Sequence, residues 1–293
     1  GQDGVVAFVA GSYSLPTRAV STIFNDEEIP LVSAYALHPD ITKGDYTFRN
    51  GFLGTVEGKG AAYTAVKLLK AKKIALIVSD NDFGTTLAQG FDEYLAKHPE
   101  AKIVSQQKYP MSEKDFKPYL SKMKAANPDV VFFSGYYFQV GPAMKQAQEM
   151  GIKVQFIGEE GADSPKTTEI AGKAAEGLII VTNLNRDDKR KEVQEFLATY
   201  RKLHKIEPDM VGASAYDAFM LLANAIKQAK TTDGPAVAKA LAATKNYDGL
   251  TGLISGFTPE GEVVKPVQIQ IVKDGKFHYY GVVTDKDIVT PSK

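Results

Sequence analysis

The chain contains no cysteine at all. That excludes thiolate catalysis, cysteine-based zinc sites and disulfides together. A cysteine-free composition suits an oxidising compartment and is tolerated in any other. Excess charge of either sign is also missing, since 35 Lys and Arg balance 35 Asp and Glu. No basic field exists to hold a polyanion, so nucleic acid is not an expected partner. Long apolar runs are absent as well. Runs such as Ile74–Val78 and Leu178–Val181 fall far short of the roughly 18 to 20 residues that span a bilayer. Gly1-Gln2-Asp3-Gly4 has neither the basic nor the apolar region of a signal peptide, so any such segment is expected to have been removed. Histidines are few. His38, His98, His204 and His278 are scattered, with no pair at metal-ligand spacing. No metal or other cofactor is expected.

The 293 residues are enough for about two domains at ~150 residues each. Short apolar runs alternate with amphipathic stretches. Val5–Ala10, Leu31–Ser33, Ile74–Ser79, Asp129–Ser134, Gln155–Ile157 and Gly177–Thr182 read as strands buried on both faces. Between them, 60–70, 84–97, 116–126 and 140–150 carry helical periodicity, the last stopped by Gly151. This alternation predicts parallel βαβ units with right-handed crossovers. Two long helices follow over 189–204 and 211–230, then a third over 235–243. Runs 252–257, 267–272 and 277–283, separated by turn sequences, predict an antiparallel tail of strands.

Several motifs approach catalytic patterns and fail. Gly54-Thr-Val-Glu-Gly58-Lys59-Gly60 has three residues between its first glycines where a phosphate loop needs four, and Gly60 where Ser or Thr must hold magnesium. Asp80-Asn81-Asp82-Phe83-Gly84 opens like a calcium loop, but no Glu closes it, and it reads better as the turn capping a helix from Gly84. Ser14 lacks the flanking glycines of a nucleophile elbow. No acid, base and nucleophile can be assigned, so the chain is not expected to be an enzyme.

What remain are strand-to-helix junctions, where doubly wound sheets bind small ligands. Ser14 sits at one, and either receives a carboxylate beside exposed N–H groups or simply caps its helix. Ser33–Pro39 is a second junction. Gly135-Tyr136-Tyr137-Phe138 places three aromatics at a strand mouth, as ligand wall or as core plug. Glu159 and Glu160 follow the next strand, where one of them can hold a cation or both can be solvated; Asp163 or Ser164 caps the helix that Pro165 begins.

Ten segments in order, among them Asp3–Ala7, Ile29–Ser33, His38–Thr42, Phe48-Arg49, Asp82–Gly84, Gly135–Tyr137, Gln155–Gly161, Ala171–Gly177, Ala215–Ala218 and Phe257–Gly261, resemble the leucine/isoleucine/valine-binding proteins. These are type I periplasmic solute-binding proteins that serve ABC importers. The resemblance runs through essentially the whole chain. It implies an α/β fold of two doubly wound parallel-sheet lobes joined by three hinge crossovers, with 1–54 plus 183–252 in one lobe and 55–182 plus 253–293 in the other. It also implies a small-molecule ligand held in a cleft as the lobes close, an ABC membrane permease as partner, and a periplasmic location, or a lipid anchor at the cell surface.

By the same resemblance, the carboxylate-binding Ser falls on Ser14 and the backbone-contacting Ala pair on Tyr35 and Ala36. The covering Tyr falls on Tyr136, the ammonium-binding Glu on Glu160, and a second aromatic near Phe83. Leu37 stands where the family has a hydroxyl, and Tyr13 and Tyr35 are bulkier than usual there. Ser14 with the N–H groups of Ala36 and Leu37 is expected to take a carboxylate, and Glu160 an ammonium. An amino acid is therefore the expected solute, an aromatic carboxylate or amide the second choice, and a receptor-type sensing domain of the same fold the alternative role. The family places two strand–helix units before the Asp3-Gly4-Val5-Val6 segment. The chain is thus expected to be a fragment, to draw those units from another chain, or to have lost them before the sequence was recorded. An exposed sheet edge beside Val5–Ala10 would then favour association, which size-exclusion chromatography reads directly.

Overall fold

The structure is a computed structural model that describes residues 4–291; Asp3, in the first family-like segment, lies outside them. Along the chain run β1 (Phe8–Ala10), α1 (Ser14–Asp26), β2 (Leu31–Ser33), β3 (Thr47–Arg49) and α2 (Gly54–Tyr63). Then come β4 (Lys73–Ser79), α3 (Asp82–Leu95), β5 (Lys102–Tyr109), α4 (Lys117–Ala125), β6 (Val130–Ser134), α5 (Tyr137–Glu149) and β7 (Gln155–Gly158). These are followed by α6 (Pro165–Ala171), β8 (Ile179–Thr182), α7 (Lys191–His204), α8 (Met210–Ala229) and α9 (Gly234–Ala242). The chain closes with β9 (Tyr247–Gly249), β10 (Gly252–Ile254), β11 (Gly256–Phe257), β12 (Val263–Val264), β13 (Val267–Lys273), β14 (Lys276–Val283) and α10 (Lys286–Val289).

Two compact units form. One comprises residues 4–56, 211–266 and 284–291, the other 57–210 and 267–283. The chain leaves the first unit after Val56, returns after Met210, leaves again after Pro266, and ends in the first unit from Thr284.

In the first unit, β1, β2 and β3 form a parallel sheet in that order. Val32, Ala34 and Phe48 pack with Leu221, Leu222 and Ala225 of α8 and Val237 and Leu241 of α9. β1 is an outer strand, with Val5, Val6 and Phe8 exposed beside and within it.

The second unit is built on a seven-stranded sheet in the order β14-β13-β8-β7-β6-β4-β5. The five strands from β8 to β5 are parallel, and β13 and β14 extend the sheet antiparallel. The antiparallel pairing expected of 267–272 and 277–283 is present, and it joins the main sheet through β8: Val267 pairs with Val283 of β14 and Ile269 with Val181 of β8, and Val267 and Ile269 are fully buried. Helices cover both faces. Ala75, Ile77, Val131 and Phe133 face a core shared with Phe116, Leu120, Met123, Val140 and Met144 from α4, α5 and the loop before α4. Phe132 points the other way and stacks on Phe91 of α3 at 5.2 Å. Strands sandwiched like this are apolar on both faces along their inner positions, which is why their sequences show no alternation.

The unit boundaries differ from the sequence-based lobes over 55–56, 183–210, 253–266 and 284–291. Residues 183–210 belong to the second unit, because the Gln270 amide donates to the Leu184 carbonyl, Arg186 pairs with Asp163, and the Tyr279 N–H donates to Asp187 at 2.7 Å. Residues 253–266 and 284–291 belong to the first, where Ile254 and Val263 join its core and Glu262 pairs with Arg49.

α2 and α3 approach closely within the second unit. A Cβ on Gly58 would lie 2.1 Å from the Leu87 carbonyl oxygen. Backbone cannot give as a flexible side chain can, so Gly58→Ala is expected to cost roughly 1 to 3 kcal/mol. A thermal melt at fixed pH checks this, and an unchanged midpoint would refute the close fit.

Candidate functional site

The residues singled out in the sequence divide between the units. Tyr13, Ser14, Tyr35, Ala36 and Leu37 lie in the first, and Phe83, Tyr136 and Glu160 in the second.

In the first unit the chain turns from β1 into α1 through Gly11, whose φ of +102° lies in the range that favours glycine. A Cβ there would also meet the Ser33 hydroxyl at 2.4 Å. This turn aims the Gly11 carbonyl at the loop after β2, where it accepts from both Tyr35 N–H (3.2 Å) and Ala36 N–H (3.1 Å). Leu37 N–H donates to the Ser14 hydroxyl oxygen at 3.3 Å. The expectation that the Ala36 and Leu37 N–H groups stand ready for a carboxylate is therefore corrected, since both are engaged within the unit. Ser14 does not cap α1. It is the first helical residue, buried, and Tyr13 holds the cap position, its side chain not capping the helix. Having accepted from Leu37, the Ser14 hydroxyl keeps its own proton to donate. The opening N–H groups of a helix have no earlier carbonyl within it, which makes this end suited to an anion. Tyr35 is half-buried, Ala36 and Leu37 are buried, and Tyr13 is exposed.

The loop 36–38 is held from beneath by Arg49, a residue with no role assigned from sequence. Its guanidinium donates to the Ala36 carbonyl, to the His38 carbonyl at 2.6 Å and to the Glu262 carboxylate at 2.7 Å. Both Arg49 and Glu262 are buried.

In the second unit, Phe83 is the second residue of α3, which Asn81 caps by accepting from Gly84 N–H at 2.8 Å. The helix thus begins two residues before the expected Gly84. Phe83 stacks on Tyr136 with centroids 4.9 Å apart, and Tyr136 on Phe138 at 5.6 Å. These aromatics form a three-ring wall, with Phe83 buried, Tyr136 half-buried and Phe138 exposed. Gly161 lies against this wall, since a Cβ there would be 3.2 Å from the Tyr136 ring.

Glu159 and Glu160 are both buried, so the reading of two solvated loop acids is corrected. Ser164 rather than Asp163 caps α6, accepting from Lys166 N–H. The Glu159 carboxylate accepts from Gly135 N–H (2.8 Å) and Gly161 N–H (2.6 Å), tying the strand mouths of β6 and β7 together. Burial nevertheless pushes Glu159 up to about 8, against the pull of those two N–H groups. Asp163 is neutralised by Arg186 and also accepts from Thr182. A further acid comes from α2: Glu57, fully buried, accepts from Glu160 N–H at 2.9 Å. Burial, then the charges of Glu160 and Glu159, raise Glu57 well above the usual Glu range. Sequence reading missed it, because it saw 54–60 as a failed phosphate loop; the segment is instead the start of α2.

Glu57 and Glu159 keep protons in the folded state at pH values where the unfolded chain has lost them. Folding then binds protons, and stability falls as pH rises from about 4.5 through about 8. Melting temperature against pH in the absence of added solute checks this; a rise across that window would contradict it.

Among the described residues no group of His, Cys, Asp or Glu is arranged to hold a metal ion, and no helix is long and apolar enough to cross a membrane. One unit thus offers a hydroxyl and a helix start suited to an anion, and the other offers buried acids beside stacked rings.

Comparison with known proteins gives the family of the chain. Residues 1–276 match the family of periplasmic binding proteins. A leucine-specific-binding protein of Salmonella typhimurium is 31% identical over 204 residues, 68% of this chain and 55% of that protein. The chain therefore spans about half the length of the first curated relatives it matches. A leucine-binding protein of Thermotoga maritima superposes with a TM-score of 0.90 at 27% identity, covering 98% of this chain and 82% of that one. A solute-binding protein of an ABC transporter from Rhodopseudomonas palustris, in complex with 3,4-dihydroxybenzoic acid, gives 0.86 at 25% identity, covering 96% and 79%. With strand–helix units of the type I form and sequence kinship along most of its length, the chain belongs to the periplasmic binding protein family.

Proposed function

We propose that the protein is the extracytoplasmic solute-binding component of an ABC importer and captures an amino acid, each unit taking one end. Ser14 and the start of α1 receive the carboxylate, Glu160 receives the ammonium, and Phe83 and Tyr136 cover the side chain. The observation that carries this reading is the burial of Glu160 beside Glu57 and Glu159, since acids kept from water call for a cation. A solute that satisfies both units at once favours their closed arrangement by its differential affinity. Its partner in transport is a membrane permease, its compartment the periplasm, and its role binding rather than catalysis.

A second reading has specific support. Leu37 is buried where a hydroxyl would strengthen the carboxylate side, and the Phe83–Tyr136–Phe138 stack suits a flat ring. An aromatic carboxylate is the solute on that reading. A thermal-shift screen against the common amino acids, benzoate and hydroxybenzoates separates the two. A solute at about one hundred times its Kd adds roughly 2.7 kcal/mol of stability, which such a melt resolves. Amino-acid hits support the first reading; hits confined to acids without an amine overturn it.

A further inference from the structure

We propose that Glu57 is the proton-carrying member of the cation-binding end of the site, and that an ammonium group arriving beside Glu160 drives the Glu57 proton into solvent. This rests on the reading that the solute carries an amine to Glu160.

The geometry separates the three acids. Both oxygens of Glu159 accept backbone N–H groups, which pull against the burial that raises it to about 8, so its charge costs less than one on an oxygen without a donor. One oxygen of Glu57 accepts from Glu160 N–H, while the other, Oε2, is buried and has no hydrogen-bond partner among the described residues. A buried carboxylate oxygen without a donor is costly when charged, and protonation removes that cost. The groups facing Glu57 are Glu160, Glu159 and Asp163, and Asp163 is held by Arg186. Tyr109 and Tyr136 stand on the Glu159 side; the Tyr109 hydroxyl donates to the Ser134 carbonyl. Lys59, two residues along α2, is paired with Glu93. Burial and these like charges together favour the neutral form of Glu57 in the empty site. A positive charge placed beside Glu160 reverses that balance. The O–H bond of Glu57 then breaks, its electron pair stays on the carboxylate, and the proton passes to water and buffer. No redox partner is involved.

Capture should therefore tighten with pH. Each proton released steepens binding by up to about tenfold per pH unit, over the range between the ordinary Glu value and the raised value of Glu57. Titration calorimetry of L-leucine at pH 7, in phosphate and in Tris, counts the protons through the buffers' different ionisation heats. The expected result is net proton release on leucine binding by the wild-type protein, falling to near zero in Glu57→Gln. Leucine binding without proton release, or with equal release by both proteins, overturns the inference and leaves the ammonium reading standing. Binding of 3,4-dihydroxybenzoate but not leucine overturns both. A measurement without added solute accompanies these. The fall in melting temperature between pH 5 and pH 9 should be shallower in Glu57→Gln than in wild type, and equal slopes would overturn the inference whatever binds.

Discussion

Glu160→Gln is expected to weaken L-leucine binding by roughly 2 to 5 kcal/mol, the range for breaking a buried charge pair. In affinity that is about 30-fold to a few thousandfold. The lower end applies if Glu57 gives up its proton and takes over part of the contact with the ammonium, since its carboxyl already reaches the Glu160 backbone. The same substitution should leave an aromatic acid unharmed or improve it, because such a ligand gains nothing from a nearby carboxylate. Titration calorimetry on the variant reads both effects. Unchanged leucine affinity would refute the assignment of Glu160.

The second large effect concerns stability rather than affinity. Arg49→Met is expected to destabilise the first unit by about 3 to 5 kcal/mol, because it strands the Glu262 carboxylate at 1% exposure without its partner. It also removes the donors that hold the Ala36 and His38 carbonyls. Pairing it with Glu262→Leu should recover part of the loss, since replacing both charges removes the stranded one, but the two carbonyls stay without Arg49. Because two units need not unfold together, the comparison is made on whichever melting transition shifts. A single variant that melts like wild type would show that Arg49 does not anchor this loop.

How much of this was legible in the sequence depends on where each residue's partners lie. β4, β6 and β8 were readable because both faces of the sheet are covered and their inner positions run apolar without alternation. β5 was not, because it is the outer strand, and Lys102–Tyr109 alternates polar residues with half-buried ones. α5 begins before its expected start and carries Pro142 in its interior, which periodicity alone places poorly. Ser14 and Glu160 were singled out at strand-to-helix junctions, and the family resemblance gave them their expected roles. Arg49 and Glu57 were not, because their partners lie 213 and 103 residues away in the chain. Nothing local distinguishes a buried Glu from a solvated one in Thr55-Val56-Glu57-Gly58. The occupied N–H groups of Ala36 and Leu37 escaped notice for a related reason: the carbonyl of Gly11 and the hydroxyl of Ser14 meet them only once β1 and β2 are side by side.

The central claim is that the solute is held at both charged ends. It is tested most directly by titrating the protein with L-leucine, with 4-methylpentanoate, which lacks only the amine, and with 3-methylbutylamine, which lacks only the carboxylate. Leucine should bind, and each truncated compound should bind at least about a hundredfold more weakly, as expected when a buried charged group loses its partner. Binding of 4-methylpentanoate as tight as that of leucine would contradict the claim.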